Sequence, residues 1–151
     1  MKAFELRRLS PLFYENYPEK LYPEMEHKQN RPYVVLLVKI GDNRFALPLR
    51  TNIRHAYCYA FSETDRATTS TTGIDYTKAV IVNDDRFLGA EASIDDKEYL
   101  EVAEKHFFIA KQFKNYLDGY IDVVKNGGSE YKRRRYAYST LKYFHNELGL
   151  D

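Results

Sequence analysis

Residues 31–50, "RPYVVLLVKIGDNRFALPLR", carry the decision about fold. The first half is β-branched and apolar, the composition of a buried strand. Gly41, Asp42 and Asn43 then supply turn chemistry, and "RFALPL" reads as the returning strand. Residues 31–49 are therefore expected to form an antiparallel hairpin. Pro48 has no N–H to give to a ladder, which places it at the strand's end or on a sheet edge.

Downstream of the hairpin, residues 53–61 are ambiguous. Ile53, Ala56, Tyr57, Ala60 and Phe61 fit helical spacing, whereas Tyr57, Tyr59 and Phe61 alternate as in a strand. A short helical turn or loop to His55, followed by a strand, satisfies both patterns. "SETDRATTSTTG" is a polar connector, "IDYTKAVIV" another strand and "NDDRFLG" a turn. From Asp95 the period changes. Asp95 and Glu98 form a start resembling a capping box. Tyr99, Ala103, Phe107, Ala110, Phe113, Leu117, Tyr120 and Val124 recur at three and four, predicting an amphipathic helix. Gly119 is a candidate break and "NGG" at 126–128 a stop. A last helix is expected from about Ser129, with Tyr138, Leu141, His145 and Leu148 on one face. Upstream, Pro11, Pro18 and Pro23 exclude a long helix, and residues 1–30 read as an irregular aromatic arm packed on the body. Strands first (31–92) and helices last (93–151) make a single α+β domain with a small antiparallel sheet.

At 151 residues and 44% hydrophobic content, the chain has enough apolar material for a real core. One cysteine, Cys58, excludes a disulfide framework and fits a reducing compartment. The charged N-terminus does not resemble a signal peptide, and the aliphatic run 34–38 is far too short to span a bilayer. The expectation is a soluble cytoplasmic protein.

Net charge is +1, so bulk charge does not indicate nucleic-acid binding. Its distribution is uneven. Residues 27–55 hold six lysines and arginines against Asp42, and residues 125–145 hold six against Glu130. Such a chain can present a basic face without a high isoelectric point, although both runs could equally be solvated surface.

No Gly-rich phosphate loop, HExxH motif or paired CxxC is present. Asn83, Asp84 and Asp85 could hold a metal with Asp95 and Asp96, but turns commonly carry such residues. Neither a metal nor another cofactor is expected. Cys58, His106 and His145 lie among apolar or aromatic neighbours and read as packing residues, with His145, beside the basic run, a remote site candidate. The densest chemistry is "LPLRTNIRHAY" at 47–57. If Thr51 capped a helical turn, its hydroxyl and the free amides of Asn52 and Ile53 would form an anion site flanked by Arg50 and Arg54. Guanidinium groups bind phosphate oxygens bidentately. On such a turn His55 lies on Thr51's side and can exchange protons near neutral pH. These are parts for metal-free RNA cleavage, with Thr51 positioning rather than deprotonating. The plain alternative is a helix cap and a surface histidine.

The order "NRPYVVLLVKIGDNRFALPLRTN…GIDYTKAVIV" resembles the toxins of type III toxin–antitoxin systems, the ToxN/AbiQ endoribonucleases, and most of all their CptN/TenpN branch. The resemblance spans roughly residues 27–83, with a weaker likeness in "LKYFHNELG". It implies a compact antiparallel Kid/MazF-like barrel sheet with long C-terminal helices. It also implies metal-independent cleavage of RNA to a 2′,3′-cyclic phosphate. The implied inhibitor is a pseudoknot RNA cut from its own repeat precursor and held in a closed assembly of several toxin copies. The family's essential serine falls at Thr51, a lysine before the first strand at Arg31, and a later lysine at Lys78. A family tyrosine falls near His27. A further lysine falls on Ile53, so Arg54 or His55 would supply its function.

The resulting expectation assigns Thr51, Asn52, His55 and Arg31 to catalysis. Lys28, Arg50, Arg54 and Lys78 line the site. Lys132, Arg133, Arg134 and Arg135 grip the antitoxin RNA away from the scissile bond. Tyr14, Tyr17 and Tyr33 are candidate base-stacking partners. A non-catalytic RNA-binding module and a MazF-like toxin restrained by a protein are the rival readings.

Overall fold

The computed structural model describes residues 4–25, 34–62 and 71–150. The hairpin forms as expected. β2 (Val34–Ile40) and β3 (Asn43–Arg50) pair antiparallel from Val35↔Pro48 to Ile40↔Asn43. β1 (Leu6–Leu9) lies on the far side of β2, so the N-terminal segment is not an irregular arm but a strand inside the sheet. Two charged residues at its centre conceal it in the sequence. Leu6 and Leu9 are buried, while Arg7 turns its guanidinium onto the Gly89 carbonyl at 2.6–2.9 Å. α1 (Pro11–Asn16) follows, a short helix that takes its proline in the first turn, where no N–H is needed.

Beyond β3 come β4 (Cys58–Ala60), β5 (Gly73–Asp75), β6 (Val80–Ile81) and β7 (Leu88–Glu91). The strand order is β4-β5-β3-β2-β1-β7, with β6 also on β3. All described pairs are antiparallel, and the sheet is open, with β4 and β7 at its ends. The chain is thus α+β with an antiparallel sheet, and the closure of a barrel is not formed.

The segment read as one strand, 74–82, is two. A 3-10 turn at Tyr76–Lys78 separates β5 from β6, and both pair with β3. Pro48 gives the reason. Arg44 accepts from the Val82 N–H and donates its own N–H to Asn83, so even-numbered β3 residues face that side. Pro48 faces it too and offers no N–H, and the neighbouring strand breaks opposite it. Pro48 therefore sits within a central strand rather than at an edge.

α2 (Asp96–Asn126) covers one face of the sheet. Asp95 caps it by accepting from the Lys97 and Glu98 amides, and Gly127, at φ 74°, ends it. Phe113 packs on Phe45 and on Tyr76, with ring centroids 5.1 and 5.8 Å away. The buried stripe is Val102, Ile109, Phe113, Tyr116, Leu117 and Tyr120. Phe107, expected on that stripe, is 78% exposed. Gly119 does not break the helix; a Cβ there would lie 2.3 Å from the Tyr136 hydroxyl, so the glycine makes room for that ring. On the opposite face of the sheet, Phe13 gathers Tyr14, Tyr17 and Phe87, and Tyr17 reaches Phe144.

The expected final helix is instead the six-residue α3 (Glu130–Arg135) and a 3-10 turn at Thr140–Phe144. Ser139 restarts the chain by accepting from the Leu141 amide, and the buried Thr140 hydroxyl donates to the Thr77 and Ala79 carbonyls. These side-chain bonds outcompete continued helix. Among the described residues no helix is long and apolar enough to cross a membrane.

Candidate functional site

β3 delivers Arg50 to one end of the sheet, and the chain then bends sharply. Asn52 adopts φ 55°, a left-handed conformation that asparagine tolerates better than most residues. The Ile53 N–H donates to the Thr71 carbonyl at 3.0 Å, and the Ile53 side chain is buried. Of the two forms expected up to His55, a helical turn or a loop, the chain takes the loop, and the expected strand follows as β4. Thr51 caps no helix, and the Ile53 amide is not free for an anion. Asn52 and Arg54 are exposed and Thr51 is half-buried.

The organising group is Asp75, a fully buried carboxylate at the end of β5. Arg50 Nη1 donates to its Oδ2 at 2.5 Å. The Thr77 amide and hydroxyl donate to Oδ1 at 2.9 and 2.7 Å, which closes the 3-10 turn. His55 Nε2 lies 3.2 Å from the same carboxylate. Four groups thus satisfy one buried charge, as burial of a carboxylate demands.

These contacts settle the proton on His55. The Tyr57 N–H donates to Nδ1 at 3.0 Å, so Nδ1 is the unprotonated nitrogen. The proton then sits on Nε2 and points at Asp75. The imidazole is an oriented bridge with both nitrogens in contact, Nδ1 with the Tyr57 amide and Nε2 with Asp75. A charged ring would have to give up the Tyr57 amide.

Tyr57 links this network to the C-terminal basic run. Its ring stacks on His55 with centroids 5.9 Å apart and planes at 20°. Arg135 lies over the Tyr57 ring at 5.5 Å and over the Tyr131 ring at the same distance. Its Nε is buried and meets no hydrogen-bond acceptor among the described residues. Of the four cations in the run 132–135, Arg135 is thus brought beside the 50–57 stretch. Lys132, Arg133 and Arg134 are exposed, and Arg134 pairs with Glu130 at 2.5 Å.

Lys78 does not join this cluster. Its ammonium donates to the Glu24 carbonyl at 2.6 Å and helps to line a small apolar cavity with Leu9, Phe13 and Pro48. Lys28, Arg31, His27 and Tyr33 lie outside the described residues. Tyr14 and Tyr17 pack with Phe13. The "NDD" turn is occupied structurally: Asp84 pairs with Arg86, Asp85 with Arg44, and Asn83 with Asn43. Cys58 is half-buried, and burial pushes its thiol up from the ordinary range.

Comparison with protein families, curated proteins and solved structures finds no match.

Asp75, Thr77, Tyr57 and Tyr131 were not among the expected site residues. One signal for Asp75 is in the sequence: it is the single acid in the apolar stretch 73–82. Such a residue is rarely buried without a partner. Nothing local identifies Arg50 and His55 as those partners.

Proposed function

We propose that this chain is a metal-independent endoribonuclease toxin restrained by a structured RNA. In this reading a 2′-OH loses its proton and attacks the neighbouring phosphate, the bond to the 5′ oxygen breaks and that oxygen takes up a proton, leaving a 2′,3′-cyclic phosphate and a 5′-OH. Thr51, Asn52 and Arg54 meet the phosphate at the bend, and Asp75 holds Arg50 and His55 beneath it. The toxin acts in the cytoplasm, in a closed assembly of several copies with its pseudoknot RNA. The observation that carries the reading is the meeting of two basic segments through Arg135, Tyr57 and His55. A near-neutral chain that brings part of one cation-rich stretch onto another can offer a polyanion a local basic face. The relation to toxins rests on the strand order and hydroxyl position of the sequence. The Kid/MazF relation rests there too, and the open sheet adds nothing to it.

A second reading is a non-catalytic RNA-binding module. The His55 geometry favours it, because neither ring nitrogen is free to take a proton from a 2′-OH. Incubating purified protein with a mixed-sequence RNA in EDTA separates the two. Cleavage that persists and leaves cyclic phosphate ends supports the nuclease. RNA binding without cleavage supports the module. Cleavage lost in EDTA and restored by magnesium refutes the metal-independent mechanism.

A further inference from the structure

Tyr131 is 68% exposed, yet one side of it is occupied by a cation. Tyr131 and Arg135 stand four residues apart on α3 and so share a face, with the Arg135 guanidinium carbon 5.5 Å from the Tyr131 centroid. Arg135 is itself fixed from below, because it also lies over Tyr57, whose ring is braced by His55 and reaches Tyr116. An exposed aromatic ring normally samples several rotamers. This one rests on a guanidinium that is anchored through a second tyrosine to the Asp75 network. The arrangement costs little further ordering when a flat partner arrives.

We propose that Tyr131, backed by Arg135, is a stacking platform for one unpaired base of a single-stranded RNA. The inference rests on the RNA reading of the basic surface and names the part of the RNA that this end of it holds. The flat partner is a nucleobase because the ring opens the cationic run 132–135 and Arg135 of that run packs on it. Lys132 and Arg133 follow it in sequence and are exposed on α3, and Arg135 also packs on Tyr57, which stacks on His55. A chain of phosphates satisfies those charges while presenting a π-face at each step. Base–aromatic stacking tolerates any base, so the platform contributes affinity rather than a sequence code. Tyr138 is as exposed, but no cation backs it among the described contacts.

The test compares wild type, Tyr131→Leu and Tyr131→Phe by fluorescence anisotropy. The probes are a labelled oligoadenylate and an abasic ribose-phosphate chain of equal length. Tyr131→Leu should weaken oligoadenylate binding by roughly 5- to 150-fold, the range reported by loss of one stacked base. Tyr131→Phe should bind as wild type. All three proteins should bind the abasic chain alike, and their salt slopes should coincide, because no phosphate contact is altered. Tyr131 is exposed, so Tyr131→Leu is expected to keep the native far-UV circular dichroism spectrum. Wild-type binding of oligoadenylate with no loss in Tyr131→Leu overturns the platform and leaves the RNA surface standing. Wild-type failure to bind either chain at low salt overturns both. Equal competition by polyglutamate and oligoadenylate makes the surface a general polyanion face and also overturns the platform.

Discussion

Replacing Asp75 with asparagine tests whether one buried charge holds the site together. The substitution is nearly isosteric, and its remaining oxygen can still accept from the Thr77 amide and hydroxyl. The other side changes sign. An amide NH2 would face Arg50 Nη1, now at 2.5 Å from a carboxylate oxygen, and the His55 Nε2–H at 3.2 Å. Donor would meet donor at Arg50, while His55 Nε2, equally close to both oxygens, would keep the remaining one. Breaking a fully buried ion pair from one side costs about 3–5 kcal/mol. Here Arg50 retains 24% and His55 30% side-chain exposure, so both can partly rehydrate. The expected loss is therefore about 2–4 kcal/mol, or about 5–15 °C in Tm for a domain of this size. Urea unfolding at neutral pH, followed by circular dichroism, measures it. A cycle with Arg50→Gln should show coupling above about 1 kcal/mol, since the two groups are in direct contact. A loss below about 0.5 kcal/mol, or strict additivity in that cycle, would refute the account of Asp75 as the organising charge.

Thr51→Ala should abolish RNA cleavage while Thr51→Ser retains most of it, with stability changed by about 1 kcal/mol or less in either case; full cleavage by Thr51→Ala removes the hydroxyl from the mechanism. Glu24 accepts from Lys142 and Tyr143, and those bonds hold its carboxyl down at about 2, below the ordinary 4.5. Its folded pKa is depressed, so its stabilisation is present above 4.5 and is lost as pH falls toward about 2. Glu24→Gln should therefore be less stable than wild type at neutral pH, with the gap closing in acid, as thermal melts across that range would show. Gly119→Ala should destabilise by about 1–3 kcal/mol, against the usual gain of about 1 kcal/mol for this change in a helix. The added methyl meets the hydroxyl of a Tyr136 ring already wedged against Tyr116 and Tyr120, and a raised Tm would show that the ring yields.

What was legible in the sequence was local. The hairpin register follows from one turn, and both ends of α2 follow from Asp95 and the glycines after Asn126. The face of α2 was harder to read because aromatic residues occupy both of its sides. Tyr99 and Phe107 fit the period as well as Val102 and Ile109 do, and only the packing partners distinguish them. β1 was missed because a strand of four residues with two arginines has too few apolar positions to show alternation. The break between β5 and β6 was not legible in its own residues at all. Its cause is a proline some thirty residues earlier in the neighbouring strand, and only the pairing makes it visible.

The site behaves in the same way, with consequences for where a phosphate would sit. Residues 50–57 looked like a cationic turn because their charges were counted without Asp75, which is 25 positions from Arg50 and 20 from His55. With Asp75 in place, the Arg50 charge is largely offset, and His55 is held between that carboxylate and the Tyr57 amide. The cations left without a buried counter-charge are therefore others. Arg54 stands at the bend, and Lys132, Arg133 and Arg135 stand on α3, where Arg134 is partly matched by Glu130. Arg50 then acts through position rather than charge: by gripping Asp75 it fixes the carboxylate that orients His55. His55 in turn supports Tyr57, and Tyr57 supports Arg135. Under the proposed RNA reading, phosphates would therefore be met by Arg54 and the exposed cations of α3, with Arg50 kept on Asp75 as a positioning group.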